Sequence, residues 1–289
     1  MLTPVPPPAL KRTKLRKVYI LPNLFTAMNL FLGLLAIYSA HSGELVKACW
    51  FLVLAGVLDG LDGAVARLTK SESDFGVEFD SMSDLVSFGV APSFLAFSMM
   101  RGLSADHERL VVGVCALFAV CGALRLARYN VQHQGSERGG FQGLPSPGAA
   151  LALVFYILLV LEYNLDKSQI VLLNLGGKVL TLGIAFTKAL PFVVLGLALL
   201  MVSRVPYPKI TRHLRLGRRM SFETLVSIIL IVGLLLAAKS QMRVLFGFGL
   251  FLVYVLQSVV RHFIRFSLGT GRAKPATPVS ADSNPAVDK

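Results

Sequence analysis

Apolar residues fill this chain in long blocks, and polar residues are gathered into the short stretches between them. A helix that crosses a bilayer needs about 20 mostly apolar residues. On that criterion the blocks predict spans at 18–40, 46–68, 80–100, 108–129, 147–163, 179–203, 222–238 and 243–265. The blocks at 147–163 and 222–238 are short and leave little room for tilt. The stretch 170–203 is too long for one straight span, and Gly176–Gly177 and Pro191 are expected to divide it into an interfacial piece and a kinked helix. The first block, Val18–Ala40, follows Lys11, Arg12, Lys14, Arg16 and Lys17, as the apolar core of a signal peptide would. It is too long for such a core and lacks a clear small-residue cleavage site, so it reads as a retained span. The fold class expected is all-α: a polytopic membrane helix bundle of about eight transmembrane helices.

Composition agrees. The chain has 289 residues, 54% of them hydrophobic, and a mean hydropathy of +0.66, more apolar than a soluble domain of this length. The net charge of +13 needs no nucleic-acid partner. Lys and Arg collect in cytoplasmic loops and favour anionic lipid head groups. With the N-terminus inside, the segments 1–17, 67–79, 125–146, 204–221 and 261–289 carry most of the 29 Lys and Arg, and Arg204, Lys209, Arg212, Arg215, Arg218 and Arg219 form the strongest group. This bias predicts both termini inside. Cys49, Cys115 and Cys121 lie in apolar blocks with no CxxC spacing and read as small buried hydrophobes.

The candidate chemistry is concentrated between Leu58 and Asp84. Asp59 and Asp62 are three residues apart near the end of the second span, and Asp80 and Asp84 are four apart at the start of the third. Each pair therefore lies on one helix face. A short connection over 68–79 makes the two helices antiparallel neighbours and lets all four carboxylates converge at the mouth of the bundle. Four ionised carboxylates so placed repel one another and are costly at membrane depth. A divalent cation relieves both problems, and oxygen-only ligands suit a hard ion such as Mg²⁺, Mn²⁺ or Ca²⁺ rather than zinc. Two ions about 3.5–4 Å apart are an arrangement suited to phosphoryl transfer. Gly60, Gly63 and Ala66 form a stripe of small residues beside the acids. It permits close helix packing or a flat surface for a nucleotide, and the adjacent acids favour the nucleotide. Arg67, at the helix end, either snorkels to the interface or grips a phosphate.

The pattern Asp59-x2-Asp62-Gly63-x2-Ala66-Arg67-x8-Gly76-x3-Asp80-x3-Asp84 resembles the signature of the CDP-alcohol phosphotransferases without departure. The resemblance implies a six-helix catalytic core over 18–203, a homodimer, a site open to the cytoplasm, and transfer of a phosphatidyl-type group with release of CMP. The charge pattern marks residues 1–17 as a cytoplasmic leader and 204–221 as a basic loop. Residues 222–268 become two added transmembrane helices, and 269–289 a disordered tail rich in Pro, Ala and Ser. Asp59, Asp62, Asp80 and Asp84 resemble the metal ligands, for two Mg²⁺ or Mn²⁺ ions, and Asp84 also the general base. Asp62, Gly63, Ala66, Arg67 and Gly76 resemble positions that hold the CDP-lipid. Asn23 and Thr26 look like polar residues that open the first helix of related enzymes, as ligand contacts or as a helix start at the interface.

Three further stretches are similar to those of bacterial members that use L-serine as acceptor and CDP-diacylglycerol as donor: Arg125–Asn130, Phe141–Pro147 and Ser203–Lys209. All three fall on the predicted cytoplasmic side, in keeping with an enzyme of the bacterial inner membrane. Arg125 and Arg128, on one helix face, are candidates for a lipid phosphate or the acceptor's carboxylate, or act as basic anchors. None of His41, His107, His133, His213 and His262 has Lys two residues later, which excludes the other route to the same lipid through a His-x-Lys nucleophile. The carboxylate pattern handles the donor, so glycerol 3-phosphate, inositol phosphate and choline stay open as acceptors. A cation transporter would spread its acids along several spans.

Overall fold

A computed structural model describes residues 20–69, 73–101, 108–133, 143–163, 165, 171–175, 178–203, 205, 207 and 240–267. Its helices are α1 (Ile20–His41), α2 (Leu45–Thr69), α3 (Asp74–Asp84), α4 (Ala91–Met100), α5 (Glu108–His133), α6 (Ser146–Glu162), α7 (Leu182–Val202) and α8 (Ser240–Ser267). Helices thus occupy each predicted span except 222–238, which lies outside the described residues, as do the leader 1–17, most of the loop 204–221 and the tail 269–289. Among the described residues five helical stretches are long and apolar enough to cross a membrane, and the 17-residue α6 is a shorter apolar helix. The chain is an integral membrane protein by this measure. The interfacial piece expected before α7 is a short antiparallel hairpin, β1 (Val171–Leu175) with β2 (Lys178–Thr181). Pro191 sits inside α7.

The third span departs most from the expectation. The helix does not start at residue 80. It starts at Asp74, where Ser73, in extended backbone, accepts a hydrogen bond from the Gly76 N–H at 3.0 Å. Such a cap satisfies one of the free amides of a first turn. The helix then widens into a π-helical segment, Leu85–Val90, before α4. There the Ala91 N–H donates to Val86, five residues back. Pro92 supplies the physical reason. It cannot donate to the carbonyl four residues earlier, and its ring crowds that carbonyl. A wider turn accommodates both defects.

α1 packs against α2 and also against α3, the π segment and α4. It acts as the post on which the second and third spans are hung. Gly33 makes the closest approach: a Cβ there would stand 2.6 Å from Ser87 Oγ. Ser83 donates to the Thr26 carbonyl at 3.1 Å and Ser87 to the Asn29 carbonyl at 3.0 Å. These buried hydroxyls stitch α3 and the π segment to α1 with bonds that cost little to bury because both partners are satisfied. Leu95, Phe118, Leu153, Ile157, Leu190 and Met201 fill the interior between α4, α5, α6 and α7. Cys49, Cys115 and Cys121 are free and buried, as the sequence suggests. The large exposed side chains on α5 and α8, such as Leu110, Val120, Leu250 and Val253, suit a lipid-facing surface.

Candidate active site

Asp59, Asp62 and Asp80 each offer an oxygen, and these oxygens all lie within 4.8 Å of one another. Asp84 joins them beside Asp59. Asp80 and Asp84 sit inside α3 and not at its start, which corrects the expectation that this helix begins at residue 80. Asp59 lies about ten residues from the end of α2, and Asp84 about ten from the start of α3, or about 15 Å in each case. Asp62 and Asp80 lie about 10 Å in. The acids thus form a deep pair, Asp59 with Asp84, and a shallow pair, Asp62 with Asp80. α2 and α3 approach each other through these side chains more than through their backbones.

Asp62 is only 5% exposed, and Thr26 donates to its Oδ2 at 3.2 Å. Thr26 is therefore a support for a carboxylate, two turns into α1 and not at a helix start. Asn23, one turn earlier, directs its Oδ1 to 3.2 Å from where a Cβ on Gly76 would stand. Gly76 leaves room for both this amide and the Ser73 cap. Gly60 faces open space, with nothing within 4 Å of a built Cβ, and Gly63 is half-buried. The side chains of Ala66 and Arg67 lie outside the described residues.

The donor set fits a hard divalent cation. Among the described residues, Oδ1 of Asp80 and Oδ1 of Asp84 are buried without a hydrogen-bond partner. Acceptors in that state are costly, and an ion between the two acid pairs satisfies them. Sequence reasoning missed Asn29. Its side chain is fully buried, with neither amide atom partnered. It lies one turn deeper on α1 than Thr26, on the same face. In the antiparallel packing of α1 on α2, the contact of Thr26 with Asp62 puts Asn29 level with Asp59. A polar residue three positions after Thr26 within an apolar block was the available signal.

The three stretches around Arg125, Gly143 and Ser203 come together in one knot. Arg125 is buried and donates from Nη1 to Ser146 Oγ at 2.7 Å. It lies within electrostatic reach of Asp84, Tyr129 and Tyr254. Arg128 donates to the Val202 carbonyl at 3.2 Å, so the two guanidinium groups have different partners and do not form one clamp in this structure. Gly143, at φ +87°, donates to the Val205 carbonyl at 2.9 Å, and Leu144 donates to Leu200 at 3.0 Å. A Cβ on Gly143 would strike the Met201 carbonyl oxygen. Asn130 donates to Ser81 Oγ at 3.0 Å, tying the end of α5 to the turn of α3 that carries Asp80.

A family model described as CDP-alcohol phosphatidyltransferase matches residues 19–190, which takes in α1 through α6, every carboxylate above and Arg125. The chain belongs to the CDP-alcohol phosphatidyltransferase family. Within this family it is 37% identical over 238 residues to the CDP-diacylglycerol–serine O-phosphatidyltransferase of Helicobacter pylori, covering 82% of this chain and 90% of that protein. It is 35% identical over 195 residues to the protein of the same name from Bacillus subtilis, covering 67% of this chain and 92% of that one. The archaetidylserine synthase of Methanothermobacter thermautotrophicus is 32% identical over 199 residues, covering 68% of this chain and 73% of that one. The phosphatidyltransferase match ends inside α7, so α8 lies beyond the matched segment.

Proposed function

We propose that this chain transfers the phosphatidyl group of CDP-diacylglycerol to the hydroxyl of L-serine, giving phosphatidylserine and CMP. The observation that carries this reading is the convergence of four carboxylates from two helices, with orphaned buried oxygens on Asp80 and Asp84. The serine phosphatidyltransferases of Helicobacter pylori and Bacillus subtilis, to which the chain is similar, point to serine as the acceptor. Asp59, Asp62, Asp80 and Asp84 would hold Mg²⁺ or Mn²⁺, as two ions. When bound, such ions supply positive charge against the pyrophosphate and the departing CMP.

The rest of the work falls to the chain. Asn23, Gly63, Ala66, Arg67 and Gly76 provide the surface for the CDP moiety, with Arg67 on a phosphate. Thr26 holds Asp62 in orientation. Asp84 takes the proton of the serine hydroxyl as its oxygen attacks the phosphorus bonded to diacylglycerol. A new phosphorus–oxygen bond forms to serine, the bond from that phosphorus to the bridging oxygen breaks, and the bridging oxygen leaves as part of CMP. The reading includes a homodimer in the bacterial inner membrane, both termini inside, and a site opening to the cytoplasm, where CDP-lipid enters sideways from the inner leaflet.

The test is CMP release by the purified full-length protein against a panel of serine, glycerol 3-phosphate, inositol phosphate and choline, with Mg²⁺ or Mn²⁺ and with a chelator. Serine-dependent release that stops with the chelator and returns with metal is expected. Release driven only by another acceptor overturns serine. Release that persists through chelation overturns the metal.

A further inference from the structure

α8 carries Tyr254 to the start of α6, where the ring lies against Gly148: a Cβ built on Gly148 would be 3.2 Å from Tyr254 Cε1. Two residues earlier, Ser146 accepts from Arg125. Tyr207, just beyond the end of α7, faces Tyr254 with ring centroids 5.8 Å apart at 49°. Tyr254 is 9% exposed, Tyr207 4% and Arg125 8%, and neither phenol hydroxyl has a hydrogen-bond partner among the described residues. Buried tyrosines normally place the hydroxyl on a partner. Two adjacent ones that do not, beside a buried guanidinium, mark a place that is polar, enclosed and short of an acceptor. The Tyr207 hydroxyl remains a donor at physiological pH, because burial, aided by Tyr254, pushes it up to about 12.

The location fits the reaction. Arg125 lies within electrostatic reach of both Asp84 and Tyr254, so this polar place adjoins the proposed general base. A guanidinium flanked by neutral phenol donors suits a carboxylate. It suits a phosphate monoester less well, because a second negative charge would face one cation beside four acids.

We infer that Arg125, Tyr207 and Tyr254 form the subsite for the α-carboxylate of the amino-acid acceptor, and that α8, beyond the segment matched by the family, completes it through the Tyr254 hydroxyl. This rests on the serine reading above and adds the residues that select the acceptor. The carboxylate anchored there leaves the serine hydroxyl directed at Asp84.

The experiment uses the full-length protein with Tyr254→Phe, which keeps the ring and removes only the hydroxyl. The KM for serine is expected to rise about 10-fold, as for a lost hydrogen bond to a charged group, while the KM for CDP-diacylglycerol stays within twofold. Tyr207→Phe moves the same constant in the same direction. Serinol, which lacks the carboxylate, is a poorer acceptor for the wild type, and Tyr254→Phe narrows that gap. Leu250→Ala, on the exposed face of α8, leaves both constants unchanged. A serine KM within twofold of wild type in Tyr254→Phe overturns the subsite, as does an equal rise in both KM values, which marks a packing effect. A wild-type protein with no serine-dependent turnover overturns the acceptor reading itself and the carboxylate assignment with it.

Discussion

Replacing Thr26 by Val removes one hydroxyl and keeps the side-chain shape. The lost interaction is the 3.2 Å hydrogen bond to Asp62 Oδ2, between groups only 4% and 5% exposed. A hydrogen bond to a charged group contributes about 1.5–3 kcal/mol, which corresponds to roughly 10- to 100-fold in an equilibrium constant. Losses of about that size are typical where a partner that orients a metal ligand is removed. Thr26 pins the Asp62 carboxylate at Oδ2 and so fixes its direction beside Asp59 and Asp80. Without Thr26 that direction is lost, while the charge remains. The expected result is a rise of about 10- to 100-fold in the Mn²⁺ concentration giving half-maximal CMP release, with most of the rate recovered at saturating Mn²⁺. Titration of Mn²⁺ by electron paramagnetic resonance reads the same shift without turnover. Thr26→Ser, which keeps the hydroxyl, stays near wild type. A Thr26→Val protein whose half-saturation is within twofold of wild type in both assays would refute the proposed support of Asp62.

Two further outcomes follow from the geometry. Asp84→Asn abolishes phosphatidylserine formation while labelled CDP-diacylglycerol still binds, and a variant with near-wild-type turnover removes Asp84 from the role of base. Gly143→Ala forces a side chain into left-handed backbone against the Met201 carbonyl. It should cost about 3 kcal/mol and lower the thermal midpoint in detergent, whereas Gly196→Ala, with nothing within 4 Å of the added carbon, is tolerated.

The acids were legible because helical periodicity converts spacing into facing: three or four residues apart means one side, whatever the helix ends do. The ends were not. The run over 68–79 is polar enough to read as a loop, yet Ser73 caps a helix there, and this sets Asp80 and Asp84 about 10–15 Å along α3 from its start. Hydropathy carries no record of which carbonyl an amide chooses, so the π segment passed as ordinary helix, although Pro92 in the apolar run was a usable sign. Arg125 and Arg128 share a face by spacing, but long side chains choose their partners from neighbouring helices, and these chose Ser146 and Val202. Tyr254 reads in sequence as one more aromatic of a span. Only packing against α6 shows that its hydroxyl is shut away from water.

The widened turn after Asp84 has a consequence for how this chain tolerates change. A residue inserted into a helix rotates everything beyond it by roughly 100° relative to what came before. Leu85–Val90 works as a phase adjuster between Ala91–Met100 and the half of the third span that bears the acids. Repacking of α4 against α5 can therefore proceed without turning Asp80 and Asp84 away from their counterparts. Removing one residue from this segment would twist the two halves out of alignment at a single stroke.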